Sequence, residues 1–109
     1  MSGSSFELQR YRTAAGRVPF SEWLGALDVS TAARVSSYVD RMKAGNFGGS
    51  KPVGQGVSEL KIDFGPGYRV YYILDGGTVV ILLCGGDKGS QRTDIRRAQG
   101  FAADYRRRK

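Results

Sequence analysis

The side chains best suited to chemistry in this 109-residue chain gather in one stretch and its sequel. The run ELKIDFGPGYRVYY (Glu59–Tyr72) carries Lys61, Asp63, Arg69 and Tyr71, and GGDK brings Lys88 soon after. These types suit phosphate. Arginine offers a planar fork to a phosphate and lysine a point charge or a base, while tyrosine can orient a strand or stack on a nucleobase. RNA cleavage by the neighbouring 2′-hydroxyl needs that hydroxyl deprotonated, the anionic phosphorus stabilised and a proton for the leaving 5′-oxygen. Lys, Arg and Tyr together can supply all three without a metal. The chain has no histidine and one cysteine, Cys84. The commonest neutral-pH base is thus absent, as are a disulfide and a thiol cluster. No metal or cofactor is expected. The competing reading is an ordinary solvated sheet surface, where an Asp–Arg cross-strand pair stabilises by about 0.2–1 kcal/mol.

Two alternating strands must position this set. Leu60, Ile62 and Phe64 point one way from Ser58–Phe64, and Glu59, Lys61 and Asp63 the other. Tyr68–Leu74 follows the Gly65-Pro66-Gly67 turn. A three-residue loop pairs Phe64 with Tyr68, sets Asp63 opposite Arg69 and sets Lys61 opposite Tyr71. A one-residue slip would turn one strand inside out. Thr78–Cys84 (TVVILLC) follows Asp75-Gly76-Gly77, a hairpin signal. Its unbroken apolar run predicts a central strand covered on both faces, with Cys84 a core residue. Residues 85–90 then read as a polar loop bearing Lys88.

Upstream, Phe6–Tyr11 reads as a short strand. Pro19 suits the first position of a helix, and Phe20, Trp23, Leu24 and Leu27 give it an apolar stripe ending near Asp28. Ser30 or Thr31 is expected to cap a second helix, with Ala32, Val35, Val39 and Met42 as its stripe and Gly45-Asn46 as its stop. The glycine-rich stretch 46–56 reads as a loop. A final helix, capped by Ser90 or Thr93, presents Ile95, Ala98, Phe101, Ala102 and Tyr105 to the core. The whole predicts one α+β domain, residues 1–109, with helices on one sheet face and the other partly open. Residues 1–5 and 106–109 are expected to be disordered.

Hydrophobic residues at 40% and charged residues at 25% are ordinary for a globular domain. No run approaches the roughly 18 apolar residues of a membrane span. The start lacks the basic and apolar regions of a signal peptide, so the cytoplasm is expected and no membrane partner. Net charge is +7, and residues 91–109, with seven Arg/Lys and two Asp, hold +5 of it. Such a basic end suits nucleic acid or an acidic protein.

The segments YRTAAGRVPFSEWL, RMKAGNFGGSKPVGQGVSELKIDFGPGYRVYY and LLCGGDKGSQRTDIRRA resemble the RelE/ParE toxin superfamily of type II toxin–antitoxin modules. More narrowly, they resemble its HigB-type, phage Gp49-related group of addiction-module killer proteins, across about Phe6 to Tyr105. The resemblance implies a RelE-like fold: a small antiparallel sheet packed against an N-terminal helical hairpin and a C-terminal helix. It implies a metal-independent, ribosome-dependent mRNA endonuclease (an mRNA interferase) that arrests translation. It also implies neutralisation by a cognate antitoxin, typically a helix-turn-helix protein, with operator DNA reached through the antitoxin complex. Lys61 matches the first basic strand position of the RelE-type nuclease site, and Arg69 the phosphate-binding arginine after the hairpin turn. Lys88 lies near the basic position after the third strand. Tyr71 and Gln91 are candidates for positioning RNA.

Two positions depart from the RelE pattern. A second lysine is replaced by Asp63, and the tyrosine of the last helix by Asp94 or Ile95, with Tyr105 too far along. Asp63 is open to three roles: occupying Arg69, holding it in place, or serving as the base. The alternatives to a nuclease are a ParE-like toxin acting on DNA gyrase and a catalytically degenerate antitoxin or operator partner. Arg92, Arg96, Arg97, Arg106, Arg107 and Arg108, with the apolar helix faces, are expected to meet an acidic antitoxin segment; the arginines could instead meet RNA of the ribosome.

Overall fold

A computed structural model describes residues 5–109. Of the expected disordered lead-in, residues 1–4 lie outside the described residues. The elements run β1 (Glu7–Arg10), α1 (Pro19–Gly25), α2 (Val29–Asp40), a 3₁₀ turn (Arg41–Ala44), β2 (Gly49–Pro52), β3 (Ser58–Ile62), β4 (Tyr68–Asp75), β5 (Val79–Asp87), a second 3₁₀ turn (Lys88–Ser90) and α3 (Gln91–Arg107). The α+β order is as expected. The five strands form one mixed sheet ordered β1-β5-β4-β3-β2, with β1 parallel to β5 and the other pairs antiparallel. β2 is the addition to expectation: it arises inside the glycine-rich stretch and pairs with β3.

The helices cover both faces, which corrects the one-sided packing expected. On the first face Phe20 of α1, Val35 and Val39 of α2 and Met42 of the 3₁₀ turn after it pack on Leu60, Ile62, Val70, Val80 and Leu82. On the second, Ala98 and Ala102 of α3 pack on Tyr71, Ile73, Ile81, Leu83 and Cys84. β5 lies inside the sheet and contributes to both, as its apolar run predicts. A register shift at Tyr71/Tyr72 lets Leu83 and Cys84, though consecutive, serve the same cluster. Burial pushes the Cys84 thiol up to about 12, so it behaves as a small core residue.

Three local signals resolve differently from expectation. α2 is capped not by Ser30 or Thr31 but by Asp28, whose carboxylate accepts from the Thr31 amide at 3.0 Å. β5 does not stop at Cys84 but runs through Gly85 and Gly86 to Asp87. A Cβ at Gly85 would strike the Trp23 ring, and one at Gly86 the Asp94 carboxylate. Both faces of the sheet are approached so closely there that only glycine fits. Finally, the expected fraying at residues 106–109 gives way to order. α3 continues to Arg107, Arg106 donates to the Gln55 carbonyl at 2.8 Å, and Lys109 reaches Asp75 at 2.6 Å.

Candidate functional site

The β3–β4 hairpin builds the site. Its register sets Lys61 opposite Arg69, Glu59 opposite Tyr71 and Ile62 opposite Tyr68. The turn is thus two residues longer than expected from Gly65–Gly67 alone. Asp63 and Phe64 leave the ladder, and the loop closes with Gly67 N–H donating to the Phe64 carbonyl at 3.0 Å. Gly65 and Gly67 adopt φ +57° and +84°, which favours glycine at both. Asp63 is therefore not the cross-strand partner of Arg69. It lies exposed at the tip, 3.6 Å from Lys61.

The tip opens onto a cleft of about 390 Å³ lined by Lys61, Asp63, Phe64, the Gly65–Gly67 loop, Arg69 and Lys88. The three expected catalytic residues thus share one cavity. Lys88 reaches it from the 3₁₀ turn after β5, where the Asp87 carboxylate accepts from the Gly89 and Ser90 amides at 2.8 and 3.2 Å. Asp87 caps this 3₁₀ turn, and Ser90 stands at the N-cap of α3 as expected, though its side chain makes no capping hydrogen bond there. On one rim the Arg34 guanidinium lies 4.2 Å from the Phe64 ring centroid.

Beneath the cleft the polar groups are buried. Glu59 is 1% exposed and Arg69 7%. Glu59 accepts from the Tyr71 hydroxyl at 3.1 Å and the Gln91 amide at 2.9 Å. It also stands 3.7 Å from Arg69 Nε and 3.9 Å from Lys51. Arg69 donates from Nη1 to the Gly67 carbonyl at 3.0 Å, while its buried Nε makes no hydrogen bond. Glu59 therefore takes the role that Asp63 was a candidate for, holding the guanidinium. The sequence did place Glu59 on the polar side of its strand. Its importance was hidden because the shorter register leaves it beyond Arg69's reach.

Tyr71 and Gln91, expected to position RNA, both turn inward to Glu59 instead. The Tyr71 ring is fully buried, and burial, then the Glu59 charge, raises its phenol far above the ordinary range. It supports the floor of the site without facing the cleft. Among the six arginines expected at a nucleic-acid or antitoxin surface, four are engaged. Arg97 pairs with Asp94, Arg107 and Arg108 with Asp104, and Arg106 with the Gln55 carbonyl. Arg92 and Arg96 stand exposed on α3.

The model of the phage-derived protein Gp49-like family (DUF891) matches residues 22–100, which take in the second half of α1, all of α2, the cleft and the first part of α3. The chain belongs to the Gp49-like family. An uncharacterized protein of Haemophilus influenzae is 44% identical over 86 residues, covering 78% of this chain and 87% of that one. The Gp49-like family is of the RelE-like, addiction-module killer type, so the chain is a toxin-like member of that group and an antitoxin is its implied partner. Of the two positions that the resemblance sets against the last-helix tyrosine of RelE, Ile95 is partly buried against the apolar cluster under α3 and Asp94 is buried among polar partners. Asp94 is 5% exposed, receives hydrogen bonds from Ser90 and Arg97, and faces Gly86. Tyr105 lies at the far end of α3, donating to Asp75 at 2.6 Å. Among the described residues, no helix is long and apolar enough to cross a membrane.

Proposed function

We propose that this Gp49-like protein is the toxin of a type II toxin–antitoxin module and acts as a metal-independent, ribosome-dependent mRNA endonuclease, held in check by a cognate helix-turn-helix antitoxin. One observation carries the reading: Lys61, Arg69 and Lys88 converge on one cleft with a carboxylate, Asp63, at its lip. In the proposed reaction the cleft binds a single strand with the scissile phosphate between Arg69 and the two lysines. Asp63 accepts the 2′-hydroxyl proton as the 2′-oxygen attacks phosphorus. The bond from phosphorus to the 5′-oxygen breaks, and Lys88 donates a proton to that oxygen. The products are a 2′,3′-cyclic phosphate and a 5′-hydroxyl. Arg69 and Lys61 stabilise the extra negative charge that develops at phosphorus.

Induction in cells with mapping of new mRNA 5′ ends tests this. Wild type is expected to create new ends and arrest growth, and Arg69→Ala to do neither. Because Arg69 is buried against Glu59, Lys61→Ala/Lys88→Ala is the companion variant, altering only exposed side chains. A folded double variant that still arrests growth and still cuts at the same positions would sink the site. The pairing of Arg69 with Glu59 and of Lys61 with Asp63 favours a second reading, a degenerate member acting as an antitoxin or operator partner. Wild type that creates no new ends would support it.

A further inference from the structure

We infer that Lys88, Arg92 and Arg96 form a track for the phosphate backbone of single-stranded RNA, leading out of the cleft along α3. Arg92 and Arg96 are four apart in the helix, so their side chains rise from one face a turn apart. Lys88 belongs to the 3₁₀ turn that runs directly into α3 and also lines the cleft. A Cβ on Gly67 would lie 4.0 Å from Lys88 Cβ, so the track begins at the hairpin loop itself. The first turns of α3 are held in a fixed rotation. Gln91 reaches inward to Glu59 and Asp94 is buried against Ser90, which leaves Arg92 and Arg96 facing solvent.

The engaged arginines sharpen the assignment. Arg97, Arg106, Arg107 and Arg108 are tied to carboxylates or a carbonyl of this chain. Among the described residues, Arg92 and Arg96 make no hydrogen bond or ion pair with the protein. Their surroundings favour a polyanion over a protein partner. Thr93, Arg97, Gly100 and Ala103 are the other exposed residues on this part of α3, and Arg97 is paired with Asp94. The exposed large apolar side chains among the described residues are Val29 and Leu74, neither on this helix. A protein interface wants an apolar anchor, whereas a phosphodiester strand needs only spaced cations.

The track deepens the nuclease reading, which supplies the strand, yet its test is separate because the probe cannot be cut. Purified protein is titrated with labelled, 2′-O-methylated oligouridine by fluorescence anisotropy across a salt series. Each lost phosphate contact lowers the slope of log K against log salt by about 0.7, so Arg92→Ala/Arg96→Ala should lose about 1.4. Arg41→Ala/Lys43→Ala, on exposed residues beyond α2, removes the same charge and should keep the wild-type slope. An unchanged slope in the first pair, or an equal loss in the second, overturns the track. So does polyglutamate competing as well as the oligonucleotide at equal charge, which would mark an acidic-protein site. Cleavage in cells with an unchanged slope drops the track and keeps the nuclease; a changed slope without any cleavage does the reverse.

Discussion

The two faces of the sheet are packed with different chemistry. Against α1 and α2 the core cluster is apolar and aromatic: Phe20, Val35, Val39 and Met42 over Leu60, Ile62, Val70 and Leu82. Under α3 the apolar cluster extends only part of the way. Toward the helix N-terminus it gives over to Glu59, Arg69 and Asp94, three of the four buried polar or charged residues in the described chain. Taking charges out of water costs several kcal/mol per ion, and a buried pair often stabilises less than apolar residues of the same volume. The polar end is therefore a poor way to hold a sheet together. It is a good way to hold a guanidinium still beneath a cleft, and the cleft opens at that end. The first face serves stability, and the second divides its area between stability and the site.

Substitutions can break this division. The largest effect is expected for Glu59→Ala, which strands the Arg69 charge and leaves Tyr71 and Gln91 without their acceptor, at about 3–5 kcal/mol. Urea unfolding would show it. In the double variant Glu59→Met/Arg69→Met most of that loss should return while toxicity stays absent; a double as unstable as the single would mean the pair is structural. Next, Met42→Ala on the first face should cost about 2–5 kcal/mol. Per folded molecule, its cleavage should match wild type. Tyr71→Phe removes one hydrogen bond to a carboxylate, about 1.5–3 kcal/mol, and should weaken binding of uncleavable RNA by loosening Glu59. Unaltered binding would separate Glu59 from the site.

The smaller effects lie away from the core. Gly100 is exposed, and a Cβ there meets nothing within 4 Å. Gly100→Ala should stabilise by up to about 1 kcal/mol through helix propensity, read as a higher urea midpoint. Acid should weaken the fold. Partners hold four carboxyls below their ordinary range: Arg17 acts on Glu22, Thr31 on Asp28, Lys109 then Tyr105 on Asp75, and Arg108 then Tyr11 on Asp104. Their folded values lie below their unfolded ones. The stability they contribute is present above the unfolded value near 4 and is lost as pH falls through the folded values. Urea midpoints at neutral and acid pH would show the decline, and Asp104→Asn should flatten part of it.

Much of the fold was legible in local pattern. The stripes of α1 and α2, the apolar run of β5 and the hairpin after Asp75 all report burial directly, because side-chain period and backbone geometry are tied. Asp28 was harder: α1 already stops at Gly25, and the residue read as its end is the cap of α2. β2 was hidden because Gly49–Pro52 has little intrinsic strand preference, and pairing with β3 makes it a strand. At the site, Lys61, Arg69 and Lys88 were identified by type and do converge. Tyr71 had the right face but the wrong surroundings, because alternation says which side a residue takes and not whether a helix covers it.

The same limit explains Asp63. Alternation of period two forbids a one-residue slip, since that would turn Leu60 and Ile62 to the wrong face. It is blind to a two-residue shift, which keeps every side chain on its side. The sequence by itself therefore determined that Glu59, Lys61, Arg69 and Tyr71 share a face. The tertiary structure decided which of them meet. Only the folded hairpin sets Lys61 across from Arg69 and sends Asp63 into the loop, and only the seating of α3 brings Gln91 to Glu59. With those contacts made, the buried partner of the arginine is Glu59, and Asp63 is left at the mouth of the cleft, paired with Lys61.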